Sequence, residues 1–115
     1  VKFFGIAARA MRQILVDHYR RTIALKRGGG ATHLDLEDQQ IPATLRGEML
    51  LALDEALDRL ETISPRLATV VESRFFGGMT EPEIAELLDV TDRTVRNDWR
   101  KARAWLAKEM RGEEV

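Results

Sequence analysis

The chain has 115 residues, 44% of them hydrophobic, with a formal net charge of −1 and no cysteine. That length holds one ordinary domain or two very small ones with a modest core. Disulfide frameworks, thiol catalysis and cysteine zinc sites are excluded, and no run of about 18 apolar residues marks a membrane span.

Phe4, Ala7, Ala8, Met11, Ile14, Leu15 and His18 recur at three- and four-residue intervals. This spacing predicts an amphipathic helix over residues 3 to 26 with its arginines on the other face. The segment lacks the uninterrupted apolar centre and small-residue cleavage site of a signal peptide, so the cytoplasm is the expected location. Val1 in place of Met is expected of a piece of a longer protein. Gly28, Gly29 and Gly30 end the helix, and residues 28–46, irregular, partly acidic and interrupted by Pro42, read as a linker.

Leu50, Leu53, Leu57 and Leu60 then mark a second helix ending near Ile63, with an acidic, solvated opposite face. Ser64-Pro65 is a start signal, a capping hydroxyl followed by the residue best tolerated at a first helical position. The third helix carries Leu67, Val70, Val71 and Phe75 on its apolar face and ends at Gly77-Gly78. In Thr80-Glu81-Pro82-Glu83 the spacing fits a capping box, which starts a short helix with Ile84, Ala85, Leu87 and Leu88 on one side. About two turns later Leu88-Asp89-Val90-Thr91 forms a corner. Asp89 is among the few side chains that tolerate the left-handed conformation such a corner needs, and Thr91 caps the next helix. No strand-like alternation or internal repeat competes. The predicted fold is all-α: a helical domain with a helix-turn-helix, preceded by a linker and an N-terminal amphipathic helix.

On the last helix, 3.6 residues per turn bring Val95, Leu106, Trp99 and Ala102 onto one narrow stripe, which is expected to be buried. Arg103, Arg96, Arg100 and Arg93, in that order, lie progressively further round the helix from this stripe, with Asn97 beyond them, so the arginines point largely away from the core. Charge is segregated along the whole chain: residues 1–27 and 91–111 are basic, and the stretch between them is acidic. A helix held by another across a tight turn, arginines outward, has the geometry of a major-groove reader.

Other chemistries find no support. His18, His33 and Asp35 fit no metal-ligand spacing. The Lys26-Arg27-Gly28-Gly29-Gly30 run lacks the strand and helix start that make a phosphate loop work. No nucleophile with a base, carboxylate pair or cofactor cradle can be assembled, so neither catalysis nor a cofactor is expected.

The stretch "SPRLATVVESRFFGGMTEPEIAELLDVTDRTVRNDWRKARAWL" resembles region 4 of the sigma-70 superfamily, particularly extracytoplasmic-function (ECF) sigma factors. The residues that carry the resemblance are Gly78-Met79-Thr80, Glu83-Ile84-Ala85, Thr94-Val95-Arg96 and Ala102-Arg103. Residues 3–27 are similar to the last helix of sigma region 2 through Ile6-Ala7-Ala8-Arg9 and Asp17-His18-Tyr19-Arg20. Two positions depart from the pattern: Asp89 stands for the usual hinge glycine, and Asp98 stands where many relatives carry a basic or small residue, with a reduced phosphate affinity as the expected effect.

The resemblance implies three parts: residues 1–27 as the end of region 2 with the promoter −10 helix, residues 28–46 as linker, and residues 47–111 as region 4. It implies promoter −35 DNA and core RNA polymerase as partners, with an anti-sigma factor as a further one and no membrane. Arg96, Asn97, Arg100 and Lys101 would face the −35 element, with Thr94 and Arg103 near phosphates. Periodicity alone selects Arg93, Arg96, Arg100 and Arg103, so both routes meet at Arg96 and Arg100. Two other readings remain open: a stand-alone helix-turn-helix regulator that binds an operator as a dimer, and a sigma-like interaction module that binds an anti-sigma protein.

Overall fold

The computed structural model describes residues 2–29 and 43–111. Five helices follow one another: α1 (Lys2–Gly29), α2 (Ala43–Ile63), α3 (Pro65–Phe75), α4 (Glu81–Leu88) and α5 (Asp92–Met110). Among the described residues there is no strand. Most of the predicted linker, residues 30–42, lies outside the described residues, as do His33 and Asp35. Its last residues are helical instead, because Ala43, Leu45 and Arg46 are strong helix formers and extend α2 toward its N-terminus.

Local signals set the later helices. Ser64 is extended, at φ −152°, and its side chain accepts a 3.3 Å hydrogen bond from the Leu67 N–H, with Pro65 opening α3. Ala68, Val70 and Val71 turn inward. Phe75, expected on that face, is 56% exposed, and it is Phe76 that is buried. Helix α3 stops at Phe75, so Phe76 follows the turn inward instead of the helix periodicity.

Helix α3 packs against all four other helices and divides the core in two. One cluster joins Leu53, Ala56, Leu57 and Leu60 of α2 to Ala68 and Val71 of α3, Phe76, and Ala102 and Leu106 of α5. The other joins Val70, Met79, Ile84, Ala85 and Val95, and so fastens α4 to α3 and α5. Trp99 packs on both clusters. At Gly77 an added Cβ would lie 2.7 Å from the Ser73 carbonyl oxygen and 2.9 Å from the Ala8 Cβ, so only glycine lets α1 approach the end of α3 this closely.

Helix α1 lies on α2 and α3 with a face turned about a quarter of the way round from the one its apolar spacing favours, Ala8 being common to both. Ala8, Arg12, Val16 and Ile23 are buried, whereas Met11, Ile14 and Phe4 are exposed. Arg12 is the reason. Its Nε donates to Asp54 Oδ1 at 2.7 Å, Nη1 to Glu72 Oε2 at 2.9 Å, and Nη2 to Asp58 Oδ1 at 2.9 Å and to the Asp54 carbonyl at 3.0 Å. Arg9 adds ion pairs to Glu72 at 2.9 Å and Glu61 at 3.5 Å. The acidic face of α2 is therefore spent on binding α1 and not simply solvated. Burial alone would lower the Arg12 pKa, but the hydrogen bonds and charges of Glu72 and Asp54 raise it above its ordinary value, so the guanidinium stays charged.

Candidate nucleic-acid interface

The segment from Thr80 to Thr94 is built by three local devices. At the start of α4 the Glu83 N–H donates to Thr80 Oγ1 at 3.3 Å, and the Thr80 N–H donates to Glu83 Oε1 at 2.9 Å, closing the expected capping box. At its end Asp89 is left-handed, φ 60° and ψ 48°, and the Val90 N–H returns to the Ala85 carbonyl at 3.0 Å. The Thr94 N–H then donates to Thr91 Oγ1 at 3.1 Å, starting α5. Two helices thus meet across three residues, and their relative placement is fixed by Ile84 and Ala85 packing with Val95.

Helix α5 divides its faces much as periodicity demands. Val95, Ala102 and Leu106 are buried. Trp99, expected in the same stripe, is only partly buried, with the Arg74 guanidinium 4.8 Å over its ring. Trp105 is also partly buried, against the α2 cluster. Asp98 faces inward, 1% exposed, and not towards DNA as its sequence position suggested. Its Oδ1 accepts from Arg66 Nη2 at 3.1 Å, while Oδ2 lies 2.8 Å from Arg66 Nε without an aligned hydrogen bond. Since the charge is spent on Arg66, Asp98→Asn should cost about 2 kcal/mol of stability, by weakening a buried charge-assisted contact. The same variant should leave the salt dependence of DNA binding unchanged. Melting curves and a salt titration check both halves.

The seven candidate contact residues all lie on α5. Arg93, Arg96, Asn97, Arg100, Lys101 and Arg103 are exposed, and Thr94 is half-buried, its hydroxyl 3.0 Å from that of Thr91. Their surroundings differ. Arg96 Nη1 donates to Glu81 Oε1 at 3.2 Å, and Arg100 Nη1 donates to the neutral Asn97 Oδ1 at 3.3 Å. Glu81 is the residue that helical spacing could not find, because it lies fifteen positions from Arg96 on the neighbouring helix. With Asp98 turned inward, the outer face of α5 keeps its positive charge close together.

Beside this face lies an apolar groove of about 870 Å³ between α1, α2, α3 and α5. Leu15, Tyr19, Met49, Leu50, Phe75 and Trp99 supply apolar lining, and Arg100 and Arg103 also border it. The resources of this arrangement are cationic hydrogen-bond donors on one helix and an adjacent apolar surface.

Comparison with known proteins agrees in kind. The family model of the ECF sigma factor matches residues 1–112. No curated protein and no solved structure matches the chain.

Proposed function

We propose, for a chain that belongs to the ECF sigma factor family, that α5 is the helix which reads the promoter −35 element while the protein is docked on core RNA polymerase. The family consists of transcription initiation factors, DNA-binding and non-enzymatic, that act with core polymerase at promoters. On this reading residues 1–27 are the end of region 2, residues 28–46 the linker and residues 47–111 region 4 with its helix-turn-helix. The observation that carries it is the placement of Arg96 and Arg100, one turn apart and outward on the first half of α5, with α4 bracing that half through Ile84 and Ala85. The first half of such a helix enters the major groove in helix-turn-helix docking.

The apolar groove beside α5 supports the second half of the proposal, since a protein partner needs apolar surface to dock on. No helix among the described residues is long and apolar enough to cross a membrane. We assign the protein to the cytoplasm, where polymerase and DNA are.

The test divides the arginines by role. An arginine on a guanine edge discriminates against wrong bases by roughly 1–3 kcal/mol. Arg103 sits further along α5, where the helix leaves the groove towards the backbone. Arg96→Ala or Arg100→Ala should relax preference at one or two positions of a duplex selected by the wild-type chain. Arg103→Ala should weaken all sequences alike and lower the salt slope by about one unit. Binding to single-base substitutions at two salt concentrations separates these results. Uniform losses from all three variants would leave a basic surface without base readout, as expected of an interaction module that binds an anti-sigma protein.

A further inference from the structure

The surface around Arg96 carries more than a row of cations. Glu81 opens α4 with its side chain mostly covered, 26% exposed, and its two carboxylate oxygens are divided between two arginines. Oε1 is 3.2 Å from Arg96 Nη1, and Oε2 is 3.3 Å from Arg74 Nη1. Arg74 in turn stacks over Trp99, which packs on both core clusters. A chain of contacts therefore runs from the core, through Trp99, Arg74 and Glu81, to one arginine on the outer face of α5.

We propose that Glu81 is a positioning residue that sets the base preference of Arg96, an inference that rests on the reading of α5 as the base-reading helix. An arginine has five N–H donors, so engaging one of them on a carboxylate leaves the others free for a base edge. An arginine without a partner must give up rotamer freedom when it docks, whereas one already gripped has given it up in advance. The carboxylate also offsets the charge of Arg96, which weakens its alternative contact, a phosphate oxygen. The first effect favours the base at which Arg96 is held and the second disfavours phosphate, so Glu81 sharpens the choice of base and lowers affinity for DNA of random sequence. Among the described residues, no carboxylate pairs with Arg93, Arg100, Lys101 or Arg103, so Arg96 alone of these cations is gripped in this way.

Four forms of the chain decide the matter: wild type, Glu81→Gln, Arg96→Ala and the double variant. Each is used to select from a random duplex library, and each is titrated against single-base variants of the wild-type choice and against random-sequence DNA. Glutamine keeps the size of Glu81 and removes its charge. Glu81→Gln should bind random-sequence DNA more tightly and lose about five-fold or more in discrimination at the Arg96 position alone. In the double variant, adding Glu81→Gln to Arg96→Ala should change discrimination no further, because the residue being positioned is gone.

A purely structural role for Glu81 would lower the melting temperature and weaken every position equally, and that result overturns the proposal. So does a Glu81→Gln profile identical to wild type. If the wild-type chain selects no preferred sequence, the reading of α5 falls and the proposal falls with it. A clear wild-type preference left untouched by Glu81→Gln removes this inference alone.

Discussion

Arg12→Ala should cost about 3–5 kcal/mol, the penalty for removing one partner of a buried ionic cluster. Arg12 is 2% exposed and holds Asp54, Asp58 and Glu72 at 2.7 to 2.9 Å. Alanine would leave Asp54 at a closed interface without its cation, and Glu72 with only the half-exposed Arg9. A domain of this size has about 5–15 kcal/mol in total, so the loss should detach α1 or unfold the chain at moderate urea. Arg12→Lys should recover only part of it, since an ammonium cannot reproduce the fork that spans two helices. Salt should make little difference, because the pairs with Asp54 and Glu72, unlike the one with the exposed Asp58, are shielded from solvent ions. Urea midpoints for the three forms give the answer. A midpoint for Arg12→Ala within experimental error of wild type would mean that α1 is not fastened by this cluster.

Trp99→Ala should cost about 3 kcal/mol, the low end for truncating an interior tryptophan, because the ring is only partly covered. The expected effect is larger than its exposure suggests for a reason of position. Trp99 touches both clusters, so its loss opens a gap between the α2–α3–α5 core and the packing that holds α4. It also removes the surface on which Arg74 rests, 4.8 Å away. Thermal melting of the variant should therefore shift by several degrees, and its DNA selectivity should fall with the order around Glu81. A variant that melts like wild type would show that the two clusters are joined by other contacts.

The segment that carries the proposed function is the most legible part of the sequence, and the reason is that its devices are local. A capping box spans four residues, a left-handed corner one, and a buried stripe one helix. Thr80, Asp89 and Thr91 need no knowledge of anything far away. Helix α1 is legible as a helix, but its buried face is not. Two faces compete there, one apolar at Phe4, Met11 and Ile14, the other with Arg12 amid Ala8, Val16 and Ile23. Counting hydrophobic residues favours the first. What decides for the second is a set of carboxylates 42 to 60 residues away on α2 and α3, and no local pattern announces that they converge on Arg12. Asp98 and Glu81 are hidden for the same reason, each being explained by an arginine on another helix.

DNA footprinting with core RNA polymerase tests the central claim most directly. The wild-type chain, added to core enzyme on promoter fragments chosen by that complex, should protect one asymmetric patch at the −35 position. Arg96→Ala together with Arg100→Ala should lose that protection while still co-purifying with core polymerase. Protection of a two-fold symmetric site by the chain alone, with no binding to polymerase, would contradict the claim and establish a dimeric operator-binding regulator instead.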